Sequence, residues 1–388
     1  MDRPNMKEVT RHIKKEVERE LWGRAAGRCQ FNGCNRLIYK SPVTQERVNI
    51  SEKAHIYSFS EEGPRGWGPF KKNQQRLNDL ENLMLICHDC HKVIDQDNDG
   101  LKYSASLLQQ WKKEHEQRIV SVTGIVANRK SHVVFYGSNI SEQKSPLQQE
   151  DAMEAIFPDR YPVSENAICL SMSCSHEDKS PAFWTSESAH LQRVFNQKIL
   201  PLIESDQTKH FSLFSLASIP LLVQLGALFT DKISVDTYQP IREPKGWQWQ
   251  SFPDGFEFVI NKPKELRGDP ALVISISDII NHDRIKKVLG DTVSIWELTV
   301  PKEHIGNDNI RSKAQLSMLR TIIRKLMIQI KEAHGATAPL SVFPAMAVSC
   351  SFEMGRVRMP KADMHWVIYD QNNKERKFIK AITIGDSH

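Results

Sequence analysis

The 388-residue chain predicts an α+β zinc-bearing module followed by an α/β domain assembled from two similar halves. Three observations carry this. Cys29, Cys34, Cys87 and Cys90 form two close pairs in the first hundred residues. From about residue 166, apolar strand-like segments alternate with amphipathic helical ones, the order of a largely parallel sheet. Shifted by 129 positions, residues 212–226 fall on 341–355 with the same sequence of elements.

Bulk properties set the frame. The length argues for two domains. A composition of 40% hydrophobic and 26% charged residues excludes disordered and fibrous classes. No apolar run approaches the roughly 18 residues of a membrane span, and the charged N-terminus is not a secretory leader, so a cytoplasmic location without membrane partners is expected. Net charge is +5, unevenly spread: residues 1–130 carry 23 Lys+Arg against 17 Asp+Glu, the remainder 29 against 30. A polyanion is therefore expected at the N-terminal part, although a solvated basic face shows the same surplus.

Taken in order, residues 6–26 predict a helix, with Val9, Ile13, Val17 and Leu21 every four residues and Gly27 at its end. CQFNGC (29–34) is a knuckle turning at Gly33, and RVNISEKAHIYSF (47–59) reads as strand. Residues 60–80, rich in Gly and Pro, form a long polar loop of the length that usually serves function. ENLMLICHDCHKVID (81–95) is strand, knuckle and helix start, and residues 104–120 form a helix. The expected domains are 1–123, a linker over 124–165 containing one strand candidate (HVVFYG), and 166–388. Strands are predicted at 167–174, 210–217, 232–239, 271–280, 292–300, 339–345 and 364–370, and helices at 187–205, 219–229, 310–334 and 348–357. Between the shifted copies Ser212/Ser341, Phe214/Phe343, Gly226/Gly355 and Lys232/Lys361 are identical. Two α/β halves would share a cleft at their strand C-terminal ends, where such folds bind ligands.

Chemistry concentrates in the first hundred residues. Four thiolates satisfy a tetrahedral Zn²⁺, and such sites fold small domains that lack a large core; the alternative is free thiols or a reactive pair. The same segment holds His55 at a predicted strand end, Asn82 at the start of the next strand and His91 directly after Cys90. Phosphodiester hydrolysis needs a base for water and a cation for the leaving oxygen, and a neutral imidazole near pH 7 suits the first. A lone histidine is most often structural; the surrounding pattern singles out His55. Lys71, Lys72 and Arg76 in the long loop can grip DNA phosphates or simply be a solvated face.

AHI (54–56), ENLMLICHDCH (81–91) and the flanking cysteines resemble HNH nucleases, the ββα-metal fold, over about residues 25–100. The resemblance implies that His55 is the general base, that Asn82 positions it or helps bind metal, that His91 ligates a catalytic Mg²⁺, and that the cysteines hold structural Zn²⁺. One departure stands out. Many relatives carry a metal-binding Asp before the first His, and here that residue is Ala54. His88, Asp95 or water would replace it. Asp95 fits best, as a carboxylate one helical turn beyond His91.

The C-terminal half has no Walker loop, no GxGxxG and no evident catalytic dyad. GWQWQ (246–250), ISIS (274–277), SVFPAMAVSC (341–350) and GRVRMPKADM (355–364) resemble the SAVED domain, two fused CARF-like, Rossmann-type halves that bind cyclic oligonucleotides. The order HNH then SAVED resembles the effector endonucleases of bacterial CBASS anti-phage systems. That resemblance implies a cyclic dinucleotide activator, double-stranded DNA as substrate and a homo-oligomer, dimer or tetramer. Expected ligand contacts are Lys361 to phosphate, Trp247 or Trp249 stacking a base, and Ser277, Ser349 and the backbone of Ala345 and Met346 on base edges or ribose; core packing is the competing role of each tryptophan. Two other readings remain. One is a non-catalytic zinc DNA-binding module coupled to a nucleotide sensor. The other is a constitutive nuclease whose C-terminal half reads DNA, disfavoured by that half's near-neutral charge.

Overall fold

The computed structural model describes residues 11–137, 147–171, 180–205, 209–372 and 377–385. The chain divides into two compact units, Met1–Val126 and Ala127–His388. Residues 6–10 of the first predicted helix and 172–174 of a predicted strand lie outside the described residues.

The N-terminal unit opens on α1 (Lys15–Ala25), which buries Leu21 and Ala25 and stops where Ala26 turns left-handed. Strands β1 (Ser51–His55) and β2 (Leu83–Cys87) pair antiparallel, with His55 opposite Leu83 and Ser51 opposite Cys87. All five residues of β2 are buried. The strand runs straight into α2 (His88–Asp95), completing a ββα unit. The long helix α3 (Ala105–Thr123) starts where the Ser104 hydroxyl accepts the Leu107 N–H. The predicted loop over 60–80 holds local structure: three-residue-per-turn helices form at Gly68–Phe70, Gln74–Asn78 and Leu80–Asn82. The apolar core, around Leu21, Ile38, Ile56, Leu83, Leu85 and Leu108, is small for a unit of this length.

The C-terminal unit begins earlier than the sequence suggests. Strand β3 (Lys130–Gly137), within the expected linker, is nearly all buried and sits inside a sheet; residues 138–146 of that stretch lie outside the described residues. The physical reason is visible in HVVFYG, which is apolar on both faces, as an inner strand of a parallel sheet must be. Helix α4 (Gln149–Ile156) buries Ala152 and Ile156, and the short strands β4 (Tyr161–Pro162) and β5 (Ile168–Cys169) pair with β3. Next come α5 (Pro181–Lys198), α6 (Leu200–Glu204), β6 (His210–Leu216), α7 (Ile219–Phe229) and β7 (Ser234–Tyr238). The single helix expected over 187–205 is broken in two, with Pro201 at the start of the second piece, where its missing N–H is tolerated. Strands β3, β6 and β7 are parallel.

The second half contains β8 (Val259–Asn261), β9 (Pro270–Ser275), α8 (His282–Leu289), β10 (Ser294–Thr299), α9 (Lys313–His334), β11 (Leu340–Ala345), α10 (Val348–Val357), β12 (Trp366–Asn372) and β13 (Lys377–Ile384). Its sheet order is β13-β12-β11-β9-β10-β8, parallel inside and antiparallel at both edges. A reciprocal capping box between Ser312 and Gln315 starts α9. The repeat in the sequence has its counterpart here: β6–α7–β7 corresponds to β11–α10–β12. In each copy the shared phenylalanine stacks on a tyrosine of the next strand, Phe214 on Tyr238 and Phe343 on Tyr369, with ring centroids 4.5 Å apart in both.

Candidate active site and ligand cleft

Cys29, Cys34, Cys87 and Cys90 converge, with every sulfur within 4.8 Å of the others. The Cys34 and Cys87 Sγ atoms are 3.9 Å apart. Tetrahedral Zn²⁺ with bonds of about 2.3 Å separates its sulfurs by about 3.8 Å, so the donor set and spacing fit zinc. Burial drives the Cys29 thiol up to about 12 and raises Cys90 as well. Burial acts the same way on Cys34, but the Arg36 N–H and neighbouring thiols hold it below the usual range. The Cys87 N–H donates to Cys29 Sγ at 3.3 Å, and Arg36, paired with Asp89, adds positive charge beside the cluster.

The opposite end of the hairpin carries His55. Its Nε2 lies 2.9 Å from Asn78 Oδ1, and its ring stands 5.7 Å from that of Phe59. Burial lowers its pKa from the ordinary 6.5; Arg11 and His91 lower it further, against the hydrogen bond to Asn78. Asn82 is 1% exposed and staples the chain around the base. Its Oδ1 accepts from Tyr57 N, its Nδ2 donates to Tyr57 O and Leu77 O, and its backbone O accepts from Ile56 N. Both amide atoms of Asn82 are thus engaged within the protein.

His91 Nδ1 is 3.1 Å from Asp95 Oδ2, one turn along α2. The contact brings together two of the residues expected at the Mg²⁺ site. His88, another residue offered in place of the missing ligand, is exposed. It pairs with Glu52, which lies three residues, or about 10 Å, along β1 from His55. Ala54 is buried in the N-terminal core. Lys71, Lys72 and Arg76 are exposed; Lys71 pairs with Glu61 and Arg76 with Asp79.

Two residues here escaped sequence reading. Asn78 is one. The other is Arg65, whose Nε donates to Ile56 O and Nη1 to Tyr103 O, tying the long loop to the strand that carries the base. Its guanidinium also faces Asp97 and Asp95. Their only sequence signal was membership of a long polar loop.

In the C-terminal unit, Ser277, Ala345, Met346 and Ser349 gather beyond the C-terminal ends of β9 and β11. The N–H groups of Ile276 and Ser277 both donate to Ala345 O at 2.9 Å. Ser349 is fully buried, and its hydroxyl donates to Gln239 Oε1 at 2.6 Å, joining the end of β7 to α10. Trp247, 7% exposed, packs edge-on against Phe214 in a core shared with Phe135 and Tyr238. Trp249 is half-buried and donates through Nε1 to Thr237 O. Lys361 is exposed between α10 and β12. Because α10 runs back along the sheet between parallel strands, that loop lies at the N-terminal edge, opposite the strand ends that carry Ser277. Gln239, whose Nε2 donates to Ile310 O, joins this cluster through Ser349 and was marked by no motif.

Among the described residues, no helix is long and apolar enough to cross a membrane. The model of the SAVED family, the SMODS-associated and fused to various effectors sensor domain, matches residues 191–384, half of the chain. The HNH endonuclease model matches residues 29–98. Solved structures with similarity include the Acinetobacter baumannii Cap4 SAVED/CARF-domain containing receptor with the cyclic trinucleotide 2'3'3'-cAAA, at 10% identity and TM-score 0.42, covering 76% of this chain and 62% of that one. The Moraxella osloensis Cap4 SAVED/CARF-domain containing receptor matches at 11% identity and TM-score 0.38, covering 80% and 68%. The chain thus spans less than two thirds of the first of these receptors. No curated protein matches it. The chain belongs to the SAVED family, with an HNH endonuclease domain fused ahead of the sensor domain.

Proposed function

We propose that this protein is a CBASS effector: an Mg²⁺-dependent endonuclease that degrades double-stranded DNA when its sensor domain binds a cyclic dinucleotide. The observation that carries the reading is the ββα unit that presents His55, braced by Asn82 and Asn78, within electrostatic reach of His91. His55 takes a proton from water. His91, backed by Asp95, would hold Mg²⁺, which when bound stabilises charge on the leaving oxygen. Zinc at the four cysteines would hold the hairpin and α2 in register. The basic loop residues Lys71, Lys72 and Arg76 would contact DNA phosphates. Ser277 and the backbone of Ala345 and Met346 would meet the nucleotide at the strand ends, where such folds bind ligands. Ligand binding would change how sensor domains associate into a dimer or tetramer, since one HNH site cuts one strand at a time.

The test is to incubate purified protein with plasmid, Mg²⁺ and a panel of cyclic di- and trinucleotides. Linearised and then fragmented DNA with one member of the panel, and none with His55→Ala, is the expected result. Intact but gel-shifted DNA would establish a binding module instead. Cleavage without nucleotide would establish a constitutive nuclease.

A further inference from the structure

We infer that Asn78 is a positioning residue that fixes the tautomer of His55, so that Nδ1 is the nitrogen that accepts the proton from water. The inference rests on the nuclease reading above and adds which atom acts and what selects it.

The Asn78 amide faces the His55 ring at one end and a backbone carbonyl at the other. Its Nδ2 lies 3.4 Å from His12 O and its Oδ1 lies 2.9 Å from His55 Nε2. An amide can be turned end for end, but here turning it would set Oδ1 against a carbonyl oxygen, acceptor against acceptor. The amide orientation is therefore decided by its partners. An amide oxygen only accepts, so Nε2 must carry the hydrogen. A neutral imidazole has one such hydrogen, which leaves Nδ1 with its lone pair.

Asn78 is itself held. It ends the helical turn Gln74–Asn78, and the preceding residue's carbonyl, Leu77 O, accepts from Asn82 Nδ2 at 2.8 Å. One buried asparagine thus secures the turn that presents the other. The groups bearing on the ring are Asn78, Phe59, Arg11 and His91. Burial, with Arg11 nearby, lowers the ring's pKa from the ordinary 6.5, so the selected tautomer is the form present at neutral pH. In the reaction the water O–H bond breaks and its proton goes to Nδ1. The hydroxide oxygen forms a bond to phosphorus as the bond to the leaving oxygen breaks. The imidazolium that results keeps its Nε2–H on Asn78 Oδ1.

The experiment has two arms on the full chain. Long-range ¹H–¹⁵N correlation of the imidazoles, with His55 assigned by its loss in His55→Gln, reads the tautomer in the protein alone. The expected result is a protonated Nε2 and an unprotonated Nδ1; the reverse pattern overturns the proposal whatever the protein's activity. In the second arm, kcat for plasmid cleavage with Mg²⁺ and the nucleotide panel is measured against pH. Asn78→Asp puts a carboxylate on Nε2–H, favours the imidazolium and should move the acidic limb up by about one unit. Asn78→Leu should lower kcat about tenfold or more with KM for DNA little changed. Profiles for both variants that superimpose on wild type refute the role of Asn78. Were Asn78→Leu to misfold, the near-isosteric Asn78→Asp and the wild-type spectrum still decide. Full activity of His55→Ala would instead refute the nuclease reading itself.

Discussion

Gly226 and Gly355 meet where α7 crosses α10: a Cβ on Gly226 would lie 3.0 Å from Gly355 Cα and overlap Phe352 O, and one on Gly355 would lie 2.8 Å from Ala227 N and overlap Val223 O. These are the two glycines that the internal repeat aligns, so the repeat supplies both sides of one close helix contact. Backbone stands against backbone there, and nothing flexible can yield. Gly226→Ala or Gly355→Ala should each cost the C-terminal unit about 3 kcal/mol, read as a lower Tm for that unit. The double variant should cost less than the two singles added, because both disrupt one contact.

Removing zinc should unfold the N-terminal unit alone. Its core is small, and zinc–thiolate binding contributes about 10–16 kcal/mol to the folding of such modules. Calorimetry with a strong chelator, or of Cys87→Ser, should lose the N-terminal transition and keep the C-terminal one. Two unchanged transitions would show that the cysteines are not a structural metal site.

On the proposed backing role, Asp95→Asn should weaken Mg²⁺ activation about 10- to 100-fold while leaving the fold intact, because the exposed carboxylate meets His91 one turn back on the same helix. Titrating cleavage rate against Mg²⁺ measures this. A loss that saturating Mg²⁺ restores supports the backing role; a loss that it does not restore makes Asp95 part of the chemical step.

Cleavage should rise with pH through the pKa of His55 and then level off. Only the neutral ring accepts a proton, and burial lowers that pKa, so the acidic limb should lie below the ordinary imidazole value of 6.5. A limb at or above 6.5 in the wild type would contradict the buried setting of the base.

The C-terminal unit should lose stability in mild acid. His210 is 6% exposed, hydrogen-bonded to Ser131 Oγ, and burial pushes its pKa down to about 4 despite Asp236 nearby. In the unfolded chain the same group titrates near 6.5. The unfolded state therefore binds more protons between these values, and stability present above pH 6.5 falls as pH drops towards 4, by roughly 3 kcal/mol at most. Denaturant melts across pH 4–7 on wild type and His210→Gln measure it, and the variant should show a shallower slope.

Much of the molecule was legible in its sequence, and the reasons are physical. The thiol spacing at Cys29–Cys34 and Cys87–Cys90 determined the metal-type cluster, because tetrahedral thiolate chemistry tolerates few other arrangements. Period-2 and period-3.6 patterning determined most strands and helices, and the repeat of Phe214 at Phe343 and of Gly226 at Gly355 determined that two halves share one design. Tertiary structure alone decided the rest. It placed β3 inside a sheet where polar flanks suggested a linker, buried Trp247 against Phe214, and sent Lys361 to the far edge from Ser277. It also brought Asn78 to His55 across 23 residues and turned Asp95 onto His91. Local patterning reports which face of an element is apolar. Which side chains from distant segments share a hydrogen bond depends on how loops close, and no periodicity records that.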